Sequence, residues 1–230
     1  MKDLGYFTAK EFQLKSLSRI VGGHSVIGIA PEGAGKTTTY VLGVLMRLKY
    51  THDEAPKVLI LAPNDEKIKE IVDSFFAISQ NRELHIMGLK SSGSMEEEIE
   101  DLVRGVDIVV ATPSRARAVY LKLGLNLNRI QTFIIDDAEE IVKQGMQTNV
   151  RELAQSCGEV QYLAFSTVDH DKLHLMIDDF MPFATTVEVD ELSEDTLDTQ
   201  DLILYQVPNF TTKINLLNDF MRDQEVFDKV

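Results

Sequence analysis

Six short runs of apolar and β-branched residues, SVIGIA, KVLILAP, LHIM, VDIVVATP, QTFIIDD and VQYLAFS, recur along the chain with longer amphipathic stretches between them. Strands become apolar throughout, rather than at alternate positions, when helices cover both faces of their sheet. The intervening residues 9–21, 36–50, 65–80, 95–104, 114–122, 148–156 and 169–180 carry apolar side chains at three- and four-residue spacing, which predicts helices. This alternation implies an open, doubly wound α/β domain on a mostly parallel twisted sheet. A chain of 230 residues is long enough to bury one sizeable core.

The composition shifts from residue 187, where VEVDELSEDTLDTQD holds seven acids in fifteen residues with no basic group. Such a segment predicts a linker. The expected organisation is therefore a domain over residues 1–189, an acidic linker over 190–201, and the opening of a second unit over 202–230. There, LILYQVPNF reads as a strand and TTKINLLNDFMRDQEVF as a helix.

No run approaches the length of apolar sequence that a membrane span needs, and the first residues, MKDLGYFTAKEF, lack an apolar signal core. With a single cysteine, Cys157, a disulfide framework is also unsupported, so a cytoplasmic setting is expected. The 37 acidic and 23 basic residues leave a net charge of −14, the wrong sign for holding nucleic acid by bulk electrostatics. Any nucleic-acid contact has to be local and weak, and nothing suggests specificity for DNA.

APEGAGKT, residues 30–37, follows one predicted strand and opens one predicted helix. Gly33 and Gly35 permit backbone conformations that a β-carbon disfavours, so that successive N–H groups can face an anion at a helix N-terminus. In such a loop Lys36 reaches the β- and γ-phosphates and the Thr37 hydroxyl ligates Mg²⁺. Glu32 is an unusual neighbour for a triphosphate.

Phosphate-loop enzymes hold the metal with a second carboxylate at the end of a neighbouring strand, and FIIDDAEEIV supplies one in Asp136. Asp137 is placed to orient and deprotonate an attacking water. The competing reading of this row of acids is a helix N-terminus enriched in carboxylates by the macrodipole.

Several motifs in order carry a family resemblance: GYFTAKEFQ, APEGAGKT, LAPNDEK, VATPSR, IIDDAE and FSTV, with ILYQVPN at the far end. The chain resembles the N-terminal RecA-like domain of a DEAD-box RNA helicase. The resemblance implies a RecA-like P-loop NTPase fold, ATP and Mg²⁺ as cofactors, RNA as partner, and a C-terminal RecA-like domain of the same chain. By resemblance, ATP is held by Gln13, whose amide reads the adenine edge, and by Ala30, Glu32, Gly33, Ala34, Gly35, Lys36, Thr37 and Thr38. Lys36, Asp136 and Asp137 are the catalytic candidates, and Thr37 and Asp136 hold the metal. Pro63, Gly88, Thr112, Pro113 and Arg115 fall where the family touches RNA. Ser166, Thr167 and Glu139 fall where it couples hydrolysis to domain closure.

The departures are specific. Asn64 and Asp65 stand where the family has Thr-Arg, Ser114 stands for Gly, the Asp-Asp-Ala-Glu of residues 136–139 stands for Asp-Glu-Ala-Asp, and Val168 replaces a hydroxyl that should bond the last acid. Two alternatives to an RNA-dependent ATPase are a degenerate helicase acting as a nucleotide-binding regulatory or protein-interaction module, and a phosphate-loop ATPase unrelated to RNA. HDKLH, residues 170–174, imitates a zinc-binding spacing but reads better as a solvated helix face, and MEEEIED as a charged helix surface.

Overall fold

The computed structural model describes residues 9–48, 55–79 and 83–190. The start of GYFTAKEFQ, most of the acidic linker and the whole anticipated second unit lie outside the described residues.

Among the described residues seven parallel strands form one sheet: β1 Val26–Ile29, β2 Val58–Leu61, β3 Ile86–Leu89, β4 Ile108–Ala111, β5 Thr132–Ile135, β6 Gln161–Ser166 and β7 Thr185–Glu188, in the order β3-β4-β2-β5-β6-β1-β7. Eight α-helices accompany them among the described residues: α1 Glu11–Val21, α2 Lys36–Arg47, α3 Asp65–Ile78, α4 Met95–Val103, α5 Pro113–Leu121, α6 Ala138–Lys143, α7 Gln147–Gln155 and α8 Asp171–Ile177. Each of the six apolar runs contains or overlaps a strand; LHIM is displaced, because β3 begins at Ile86 and runs on to Leu89.

Because side chains alternate across a strand, each apolar run feeds two cores. Leu59, Leu61, Phe133 and Ile135 face one core, covered by α4, α5, α6, α7 and α8; Val58, Ile60 and Ile134 face the other, covered by α1, α2 and α3. Gly28 is a packing requirement on the second face, since a β-carbon there would come within 2.6 Å of the Phe12 ring.

Two elements escaped the sequence reading. β7 pairs in parallel with β1, matching Val187 to Gly28 and burying Val187, so the acidic composition that begins at residue 187 overlaps a strand within residues 1–189. Only one face of this edge strand is covered, and its exposed Thr185, Thr186 and Glu188 gave it no apolar run to be recognised by. α6 is a six-residue helix inside the acidic stretch, too short to show a period.

The sheet order brings β5, β6 and β1 side by side, so their C-terminal ends share one edge. Ile29 is registered with Ser166, and Ile135 with Ala164. Ligands of open α/β sheets bind at this edge.

Candidate nucleotide site

Gly33 and Gly35 adopt φ of 79° and 84°, left-handed values that a β-carbon would strain, and they wrap the loop between β1 and α2. Gly35 has a second reason to be glycine. A β-carbon there would lie 2.5 Å from the Gln13 amide nitrogen, so the Gln13 side chain lies directly against the loop. The Gln13 carbonyl oxygen accepts from the Lys10 backbone N–H at 3.0 Å, and the Lys10 ammonium donates to the Gly33 carbonyl at 2.5 Å. The start of α1 is thereby fastened to the phosphate loop.

Lys36 is buried, and its ammonium donates to the carbonyls of Ala30 at 2.6 Å and Pro31 at 3.1 Å. Burial lowers its pKa, while Asp137, Glu139 and Asp136 oppose that shift. Ala30 and Ala34 are packed inside the loop; Glu32 is exposed at the rim. Lys10, Gln13, Glu32, Gly33, Gly35, Lys36, Thr37, Thr38, Lys67, Glu70 and Asp137 line a cleft of about 580 Å³.

Asp136 ends β5 with no solvent exposure. Its Oδ2 accepts from the buried Tyr40 hydroxyl at 2.9 Å and lies 3.5 Å from the Thr37 hydroxyl. Burial, and then the neighbouring Asp137 charge, push its pKa up to about 6, against the pull of Lys67. Asp137 sits at φ 47°, a left-handed conformation that Asp tolerates better than most residues, and its carboxylate pairs with Lys67 at 2.8 Å. Neither Tyr40 nor Lys67 was singled out in the sequence. The signal for Lys67 is topological: β2 pairs with β5, so the first turn of the helix after β2 lies over the end of β5.

The donor set passes the test for Mg²⁺. A hydroxyl and a carboxylate within 3.5 Å of each other are the hard oxygen pair that this ion shares with phosphates and water.

The motif contact between Glu139 and FSTV differs from the expected one. Glu139 bonds to Thr167, accepting from its backbone N–H at 3.1 Å and its hydroxyl at 2.6 Å, and Val168 is 48% exposed. The longer acid meets a hydroxyl placed one residue earlier, so the two departures compensate. Ser166 instead bonds within its own turn, donating to the Val168 carbonyl at 2.7 Å. The second Glu139 oxygen, Oε2, is buried without a protein partner.

The RNA-contact candidates divide. Pro63 and Thr112 line a groove of about 610 Å³ together with Asn64, Asp65, Glu66, Ser91, Ser114, Gln144 and Met146. Gly88 lies in β3 under α3, where a β-carbon would meet Ile68 at 2.8 Å, and Pro113 is buried in the first turn of α5. Arg115 turns inward, its guanidinium bonded to Glu98 at 2.8 Å and to the Gly93 carbonyl at 2.6 Å. Asp65 accepts from the Ser91 hydroxyl at 3.0 Å.

Residues 170–174 have structural roles: His170 caps α8 by accepting from the Leu173 N–H at 3.0 Å, and His174 faces Asp169 at 2.6 Å. Cys157 donates its thiol to the Leu153 carbonyl, and burial pushes its pKa up to about 12.

A family model, DEAD/DEAH box helicase, matches residues 10–174, which takes in the phosphate loop, the acidic strand end and the FSTV turn. The chain belongs to the DEAD/DEAH box helicase family. It is 30% identical over 173 residues to eukaryotic initiation factor 4A of Cryptosporidium parvum, covering 74% of this chain and 42% of that protein. It is 25% identical over 228 residues to the RNA helicase CrhR of Synechocystis sp., covering 98% of this chain and 45% of the relative. Its fold matches a DEAD box protein from the hyperthermophile Methanococcus jannaschii with a TM-score of 0.75 at 21% identity, over 80% of this chain and 51% of that one. The chain thus spans less than half the length of these two curated relatives, and the shared architecture is a RecA-like α/β domain.

Proposed function

We propose that this domain binds ATP with Mg²⁺ and serves as the N-terminal half of an ATP-dependent RNA helicase, turning over once a second RecA-like domain closes on it. The observation that carries this reading is the convergence of the left-handed glycine loop, Lys36 and Thr37, which line one cleft, with the buried Asp136, whose Oδ2 lies 3.5 Å from the Thr37 hydroxyl. Backbone N–H groups at the start of α2 would receive the phosphates, and Lys36 would exchange the Ala30 and Pro31 carbonyls for phosphate oxygens. Bound between Thr37 and Asp136, Mg²⁺ would neutralise charge on the phosphates.

The Gln13 amide, lying against Gly35, can donate to and accept from an adenine edge at once. Asp137 is the candidate for orienting the attacking water, and its pairing with Lys67 holds its carboxylate at the cleft. Glu139 and Thr167 link the acidic strand end to the turn after β6, the connection through which nucleotide state would reach a second domain. RNA would meet the groove beside Pro63 and Thr112, weakly, because Asp65 and Glu66 stand in it.

Binding of a non-hydrolysable ATP analogue tests the reading. Lys36→Ala should weaken it by about tenfold or more, a change of ~1.4 kcal/mol or above. Equal affinity in variant and unmodified chain would remove the nucleotide site.

A further inference from the structure

Lys67 lies in the first turn of α3, with its side chain 21% exposed and its ammonium 2.8 Å from Asp137, 3.9 Å from Asp136 and 3.8 Å from Glu70. It lines the same cleft as Thr37 and Lys36. Lys36 is engaged with two carbonyls of its own loop, so among the described residues the ammonium in ion-pair contact with the paired acids at the end of β5 is that of Lys67.

Adjacent carboxylates facing a phosphate site repel the incoming triphosphate, and a divalent cation ordinarily offsets that repulsion. An ammonium fixed beside both acids can do the same from the protein's side. Its hold is local: Asn64 caps α3 by accepting from the Lys67 backbone N–H at 2.8 Å, which fixes the turn from which the side chain extends.

We propose that Lys67 is a built-in counter-ion of the nucleotide site, allowing a nucleoside triphosphate to bind with little dependence on a divalent cation. The proposal rests on the nucleotide reading above and concerns binding, since hydrolysis retains its need for the metal. Lys67 competes with Mg²⁺ for Asp136 and Asp137, and the triphosphate meets a site already partly neutralised.

Affinity for a fluorescent non-hydrolysable ATP analogue, measured with Mg²⁺ and with EDTA, decides the matter on the 230-residue chain. The unmodified chain should change by less than about threefold between the two buffers, and Lys67→Met should lose about tenfold or more in EDTA, the scale of one partly screened charge contact. Lys67→Arg, which keeps the charge, should follow the unmodified chain. If the unmodified chain binds with Mg²⁺ but loses affinity in EDTA as steeply as that, the counter-ion role is overturned while the nucleotide reading stands. If no analogue binds in either buffer, or Lys36→Ala binds like the unmodified chain, both fall. Should Lys67→Met fail to melt cooperatively, the comparison of buffers on the unmodified chain still decides.

Discussion

Asp136 is a carboxylate placed where folding alone would not put one: it has no exposure, and among the described residues its Oδ2 has the Tyr40 and Thr37 hydroxyls and the more distant Lys67 ammonium about it. A buried acid costs stability unless it is fully compensated, and such costs persist where function needs the charge. Asp136→Asn keeps the shape and removes the charge, so it should raise stability at neutral pH by on the order of 1–3 kcal/mol. Urea denaturation reads the change, and a destabilised variant would mean that Lys67 and Tyr40 more than compensate the charge. Cys157 makes a separate prediction about pH. Its folded pKa of about 12 lies above the ordinary thiol value of 9.0, so above pH 9 the unfolded chain loses a proton that the folded chain keeps. Stability from this group is therefore complete below pH 9 and is lost as pH rises toward 12. Tyr162, also pushed up to about 12 by burial, adds to the same decline from its ordinary value of 10.0. Stability measured across that range should fall with pH, and less steeply in Cys157→Ala than in the unmodified chain.

The strands, helices and loops differ in how much of them the sequence disclosed. Runs such as KVLILAP were legible because burial on both faces leaves no polar position to confuse the pattern. β7 was not, because an edge strand with one covered face needs only Val187 to be apolar. Within the site, the phosphate loop could be read because it joins two recognisable elements, and Asp136 because it directly follows the apolar run of β5. Tyr40 and Lys67 could not, since their partners lie 96 and about 70 residues away and only the pairing of β2 with β5 brings Lys67 over the acids. The Glu139–Thr167 contact is a middle case: both residues were named, but a one-residue shift of the hydroxyl had to be seen in three dimensions. The groove beside β2 and β4 carries the element-scale prediction. Asp65 and Glu66 at the start of α3 line it, no Lys or Arg does among the described residues, and Arg115 is tied to Glu98 behind it. Binding of single-stranded RNA should therefore be weak and respond little to salt. Asp65→Arg should tighten it and steepen the slope of log affinity against log salt by roughly one to two phosphate contacts' worth, about 0.7 each. An unchanged slope would mean that RNA does not pass through this groove.

At the scale of the molecule, the site is one-sided. The cleft at the C-terminal edge of the sheet supplies a phosphate loop, Asp137 and three lysines, Lys10, Lys36 and Lys67, with the buried Asp136 beside Thr37, all from a single α/β layer structure. Phosphoryl transfer gains much of its rate from charge placed opposite the loop, and an arginine delivered across an interface is worth about 10³–10⁵ in turnover. None of the arginines among the described residues lines this cleft, and several are engaged elsewhere: Arg115 with Glu98, Arg117 with Glu152, Arg104 with Asp101 and Arg151 with Asp179. Arg47 donates to the carbonyls of Val21 and Ile20 at the N-terminal side of the sheet, away from the cleft. Chemistry and binding should accordingly separate in this chain. Analogue binding should be measurable, whereas single-turnover hydrolysis should be slow and indifferent to added RNA. Supplying a second RecA-like domain bearing arginines, in the same chain or in trans, should raise the hydrolysis constant by orders of magnitude within the range above, and analogue affinity far less. RNA-stimulated turnover by these 230 residues alone would contradict that separation, because it would require transition-state charge to be met entirely by Lys36, Lys67 and the loop amides.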